Sequence, residues 1–181
     1  DEAAMRAAVA KERPAIVYLA YPNNPTANLW DDAVIERIIQ AQGEAGGLVV
    51  IDEAYQPFAS RSYIDRITRL GYLMGPAALL AEVDKLRPPY NISVLNCECA
   101  LFALEHERVF AEQARQIRDQ RDWIFGALAR LPAVKSWPSQ ANMILVRVPD
   151  ASKAFEGMKA RGVLVKNISK MHPLLANCLR L

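Results

Sequence analysis

The chain has 181 residues, 22 Lys and Arg against 20 Asp and Glu, and a 52% hydrophobic composition. That length makes one domain or a little more, and the composition excludes a disordered tail, a coiled coil and a collagen-like chain. A net charge of +2 gives no electrostatic footprint for nucleic acid, and no apolar run approaches the ~20 residues needed to cross a bilayer.

The chain opens on Asp1-Glu2, without Met, inside what reads as a helix and with no leader-like apolar region. The natural N-terminus is therefore expected to lie further upstream. Residues 15–20 (AIVYLA) are a short apolar run stopped by the Pro- and Asn-rich residues 21–26, which reads as a buried strand. Asp31 or Asp32 can cap the helix that follows, whose face is Val34, Ile35, Ile38, Ile39 and Gln42. Gly46-Gly47 ends it. Residues 48–51 (LVVI) are the next buried strand, leading into Asp52-Glu53. Two apolar strands joined by one crossover helix predict a parallel sheet covered on both faces.

Residues 69–74 read as a further strand and Pro76 onward as a helix to Leu86, broken by Pro88-Pro89. Ser93 can cap a helix through Leu104. A long helix is expected over 107–131, with Phe110, Ala114, Ile117, Ile124, Leu128 and Leu131 on one stripe that Arg121 interrupts. The rest reads as strand 142–148, helix 152–161 stopped by Gly162, and strand 163–165. This predicts an α/β protein of two parts, residues 1–92 and 93–181, hinged through the long helix.

Cys97, Cys99 and Cys178 form no C-x-x-C pair, and His106 and His172 lack partners at ligand spacing. Neither a disulfide framework nor a metal site is expected, and a reducing cytoplasm fits. The chemistry is expected at the carboxyl ends of the two early strands, where open parallel sheets bind ligands. Taken singly, residues 23–26 are a turn and Asp52 a helix cap. Taken jointly, Asn24, Asp52 and Tyr55 can converge on one ligand.

Residues 21–28 (YPNNPTAN) resemble the N-P-N-N-P-T-G motif of the pyridoxal-phosphate aminotransferases of fold type I, and residues 49–55 (VVIDEAY) resemble their D-E-A-Y motif. Residues 69–72 (RLGY) are similar to the R-x-G-Y end of a third motif. Residues 88–93 and the tail 172–180 resemble the histidinol-phosphate aminotransferase branch. The resemblance implies a parallel-rich large domain that binds pyridoxal 5'-phosphate and a smaller C-terminal α/β domain. It implies that Asp52 pairs with the cofactor's ring nitrogen, that Asn24 and Tyr55 bond its phenolic oxygen, that Arg69 binds its phosphate, and that Arg180 grips an anionic substrate group. Tyr90 and Asn142 are expected to pack around the site. Ala27 replaces the motif's glycine, which requires a backbone outside positive φ at that position.

One departure stands out. The Schiff-base lysine of the resembled family has no counterpart; Arg61 stands at its place, in a segment without lysine. The joint between Ile67 and Thr68 is abrupt, as though a strand and the lysine loop, roughly 20–25 residues, were absent between them. The N-terminal part and the C-terminal end of the resembled fold are also absent. Ser169-Lys170 is a decoy, and Lys11, Lys85, Lys135, Lys153, Lys159 and Lys166 read as solvated. The activity implied is transamination of L-histidinol phosphate with 2-oxoglutarate by a cytoplasmic homodimer acting on small molecules. The alternatives are an aromatic aminotransferase, an amino-acid-phosphate decarboxylase, or a non-catalytic remnant lacking the lysine.

Overall fold

The computed structural model describes residues 1–64, 81, 82, 85 and 94–181. Asp1 starts helix α1 (Glu2–Glu12), its carboxylate accepting the Ala4 amide at 3.1 Å. Arg13 ends it in the left-handed region at φ 44. Strand β1 (Ile16–Ala20) follows, then helix α2 (Asp32–Glu44), capped by Asp31 through the Val34 amide at 3.2 Å. The buried face of α2 is Ile35, Ile38, Ile39 and Gln42, as the periodicity predicts. Strand β2 (Leu48–Asp52) lies parallel to β1, with Ile16 opposite Leu48 and Ala20 opposite Asp52.

Leu19 and Val49 pack with Ile35, Ile38, Ile39, Tyr21 and Tyr63 into the first core. Each such side chain contributes about 1.5–3 kcal/mol on burial. The expected cover on both faces is not found among the described residues. Met5 of α1 joins the same cluster as α2, so both helices lie on the Leu19 side. Ile16, Tyr18 and Leu48 on the opposite side stay exposed.

A 3-10 turn (Gln56–Phe58) follows β2. The expected strand at 69–74, most of the helix expected from Pro76, the 67/68 joint and the 92/93 boundary lie outside the described residues. Helix α3 (Val94–Glu105) and the long helix α4 (Glu107–Leu128) come next. Strands β3 (Lys135–Ser136), β4 (Leu145–Arg147), β5 (Lys166–Asn167) and β6 (Cys178–Arg180), with helix α5 (Ala151–Lys159) between β4 and β5, complete the chain. The four strands form an antiparallel sheet in the order β3-β4-β6-β5. Ile144, Val146 and Leu179 meet Phe125 and Leu128 of α4 and Phe155 and Met158 of α5 in a second core.

Three expectations on this half are corrected. Helix α4 stops at Leu128, short of Leu131. The strand expected over 142–148 is shorter, Leu145–Arg147, with backbone bonds that continue to Ile144 and Val148, because residues 139–143 are held in a loop by the buried Ser139 hydroxyl. The strand expected at 163–165 forms instead at Lys166–Asn167. Gly162 turns the chain at φ 79, and Leu164 is left 79% exposed. Among the described residues no helix is long and apolar enough to cross a membrane.

Candidate functional site

The loop after β1 is held by its own backbone. The Asn23 amide donates to Asn28 O at 2.9 Å and the Ala27 amide to Asn23 O at 2.7 Å. The Asn23 side chain donates to the Thr26 hydroxyl at 2.6 Å. Inside that frame Asn24 is free to face outward. The loop is also tied to β2, because the Tyr21 amide donates to Asp52 O at 2.8 Å. Asp52 therefore ends its strand beside the start of the Asn24 loop. Its carboxylate accepts the Ala54 amide at 3.0 Å, closing the turn that carries Tyr55.

Asn24 Nδ2 donates to the Tyr55 hydroxyl at 3.2 Å. Arg180 Nη1, arriving from β6, donates to Asn24 Oδ1 at 3.0 Å. One amide thus joins the two early strands to the last one, across 156 positions of chain. The structure brings Asn24, Tyr55 and Arg180 together by hydrogen bonds, while Asp52 reaches the Asn24 loop through its backbone carbonyl. Arg69 lies outside the described residues, as does Tyr90.

Tyr55 and Arg180 line a cavity of about 430 Å³ together with Asn142, Met143 and Lys166. Lys166 stands directly opposite Arg180 in the β5–β6 pair. Residues opposed in an antiparallel ladder share a face, so two cations sit side by side on one wall. Lys166 is exposed, as expected, but its place beside Arg180 on the cavity wall was not anticipated, and Asn142, expected to pack around the site, lines the cavity. The signal was there in principle, since Lys166 breaks the apolar run at 163–165.

Ala27 departs from expectation. It lies at φ 60, in the left-handed region, and is fully buried against Ala141 and Met143. The turn needs that conformation to bring the Ala27 amide onto Asn23 O and to let Ala27 O accept the Gln140 amide at 2.6 Å. Arg61 is 3.3 Å from Asp32 and donates to Trp30 O. Asp32 also accepts the buried Tyr21 hydroxyl at 3.0 Å. Burial, and then that bond, push the Tyr21 pKa up from its ordinary value. Lys170 lines a different cavity, beside Glu156 and Asn167, away from Tyr55 and Arg180.

The sequence profile described as aminotransferase class I and II matches residues 1–67 and 68–181. The chain belongs to that family. A histidinol-phosphate aminotransferase of Polaromonas naphthalenivorans is 66% identical over 200 aligned residues, covering 100% of this chain and 55% of the relative. A histidinol-phosphate aminotransferase of Methylibium petroleiphilum is 65% identical, with 54% of it covered. The chain spans about half the length of the curated relatives it matches. The crystal structure of a histidinol-phosphate aminotransferase from Clostridium acetobutylicum superposes with a TM-score of 0.82 at 16% identity, covering 99% of this chain and 61% of that one. This shows the α/β fold of a fold type I aminotransferase.

The aminotransferase match breaks between Ile67 and Thr68. The alignment to the Polaromonas relative runs over 200 positions, against 181 residues here, so 19 positions of that relative face no residue of this chain.

Proposed function

We propose that the complete polypeptide transfers an amino group between L-histidinol phosphate and 2-oxoglutarate, with pyridoxal 5'-phosphate as cofactor. The observation that carries this reading is the chain of bonds from Arg180 through Asn24 to Tyr55 at the carboxyl ends of β1 and β2. The donor set suits the cofactor. Asn24 and Tyr55 present an amide and a hydroxyl side by side, matched to a phenolic oxygen. Asp52 keeps one carboxylate oxygen without a partner among the described residues, matched to a protonated ring nitrogen. When bound, the cofactor supplies an electron sink for the carbanion left at the amino acid's Cα.

The chain's own groups then divide the work. Asp52 holds the proton on the ring nitrogen, because an adjacent anion favours the charged form. The Tyr55 hydroxyl and the Asn24 amide donate to the phenolic oxygen and stabilise its anionic form. Arg69 takes the cofactor phosphate, for which a planar guanidinium is well shaped. Arg180 and Lys166 receive the anionic group of the substrate, a carboxylate or a phosphate, on their shared wall. The bond from Arg180 to Asn24 must yield or swing when that anion arrives, which couples substrate binding to the groups around the phenolic oxygen.

The same proposal places the cofactor-bearing lysine, which moves the Cα proton, between Ile67 and Thr68. The break in the family match at that joint supports it, as do the 19 unmatched positions. It extends to a cytoplasmic homodimer. The exposed apolar residues Val94, Leu95, Leu101, Phe102 and Leu104 of α3 support association. The test is an assay of the purified complete polypeptide. Glutamate formation from 2-oxoglutarate that depends on L-histidinol phosphate is expected. Arg180→Ala should raise KM for an anionic substrate roughly tenfold to a hundredfold, the loss of one charge-assisted contact. Release of carbon dioxide with no glutamate formed would overturn the reading.

A further inference from the structure

We infer that Arg121 of α4 is a positioning residue, which holds Tyr55 and Asn142 at the separation the cofactor site requires. The inference rests on the pyridoxal phosphate reading above. Arg121 interrupts the apolar stripe of α4, and its side chain is only 10% exposed. A cation there is costly unless its donors are engaged. Nη1 donates to Phe58 O at 3.0 Å and to Ala141 O at 3.1 Å, and Nε donates to the exposed Asp122 carboxylate at 2.9 Å.

The two carbonyls belong to the two segments that carry Tyr55 and Asn142. Phe58 ends the 3-10 turn that starts immediately after Tyr55. Ala141 immediately precedes Asn142, which lines the same cavity as Tyr55, and Tyr55 packs against the cluster of Ala27, Ala141 and Met143. One guanidinium nitrogen therefore ties the two segments together. Its helix is seated on the small sheet through Phe125 and Leu128. Arg118, one turn earlier on α4, donates to Pro57 O in the same turn. Any substitution here removes a donor from both carbonyls and is expected to lower stability, so binding and titration readouts separate a positioning role from a structural one. A lysine keeps the charge, but its ammonium stands one bond nearer the backbone than Nη1 and leaves no second nitrogen for Asp122, so it cannot hold both carbonyls in the same geometry.

The experiment uses the complete polypeptide, loaded with pyridoxal phosphate, in four forms: wild type, Arg121→Lys, Tyr55→Phe and the double variant. Three readouts are taken: the cofactor dissociation constant by titration, the pH midpoint of the bound cofactor's absorption band, and the Tm. The midpoint reports the bonds to the phenolic oxygen, since donors there favour its anion and lower the midpoint. Arg121→Lys is expected to weaken cofactor binding roughly tenfold, the equivalent of one displaced hydrogen bond, and to raise the midpoint. In the Tyr55→Phe background the same substitution should raise it no further, because the group it acts through is gone. Arg115→Met, which removes an exposed arginine paired with Glu112 and Asp119 on α4, should leave the binding constant and the midpoint at wild-type values.

Should Arg121→Lys not fold, Arg121→Met fills the same space and must give the same shifts. A fall in Tm with unchanged binding and midpoint would make Arg121 merely structural and overturn the inference. So would fully additive shifts in the double variant, or equal shifts from Arg115→Met. A wild-type polypeptide that takes up no pyridoxal phosphate would overturn the cofactor reading itself and the inference with it. A wild type that binds normally beside an Arg121→Lys that titrates identically would overturn the inference alone.

Discussion

Gly47 has no room for a side chain. It sits between the end of α2 and the start of β2, and its amide donates to Gln42 O at 2.9 Å. Gln42 is fully buried, and its Nε2 donates to Pro14 O at 2.5 Å. A methyl group on Gly47 would overlap Gln42 Nε2 and stand 2.6 Å from Pro14 O. Pro14 cannot retreat, because the neighbouring Ala15 O already receives the Leu48 amide at 2.9 Å. The Gln42 amide must therefore leave, stranding a carbonyl. Overpacking costs about 1–3 kcal/mol, and a stranded buried acceptor about 1–3 kcal/mol. Gly47→Ala should then cost roughly 2–6 kcal/mol. At about 2 °C per kcal/mol for a long chain, the Tm of the complete protein falls by about 4–12 °C. Differential scanning fluorimetry with and without Gln42→Ala separates the causes. With Gln42 truncated, the overlap with Nε2 is gone and only the 2.6 Å approach to Pro14 O remains, so the double variant should be more stable than the two single losses added together. A Gly47→Ala protein with wild-type Tm, or strictly additive losses, would refute the reasoning.

Two further outcomes are expected. Asp52→Asn should still bind pyridoxal phosphate but lose most turnover, because the ring nitrogen is no longer held protonated; near-normal kcat would remove Asp52 from that role. The Tyr21 phenol, its pKa raised by burial and by the bond to Asp32, favours folding in its protonated form. That contribution is complete below the unfolded tyrosine value of about 10 and is lost as pH rises through the folded value. Alkaline unfolding of Tyr21→Phe followed by circular dichroism should therefore be less steep with pH than that of the wild type.

The large-lobe elements are legible because each carries its own punctuation. Apolar runs mark β1 and β2, Asp31 caps α2, and Gly46-Gly47 closes it. Asn24, Asp52 and Tyr55 are legible as a set because parallel strands bring their carboxyl ends together. The small sheet is less so. Strands β3 and β5 are two residues each, too short for any periodicity, and exist only because longer neighbours offer an edge. The open face at Ile16 and Tyr18 reads in the sequence as buried, since apolar content does not say which chain segment supplies the cover. The conformation of Ala27 is set by bonds from Asn23 and Gln140 rather than by its own preference. Arg121 is visible in the sequence only as an anomaly on an apolar stripe. Its meaning depends on two carbonyls, 63 and 20 positions away along the chain.

The central claim is that this chain forms half of a pyridoxal phosphate site whose lysine belongs between Ile67 and Thr68. Borohydride reduction of the complete, cofactor-loaded polypeptide, followed by peptide mapping of the trapped adduct, tests it directly. The account predicts one modified lysine, in a peptide that lies between Ile67 and Thr68 and is absent from the 181 residues here. No adduct, or an adduct on Lys170 or another of the lysines present in this chain, would contradict it and favour a non-catalytic remnant.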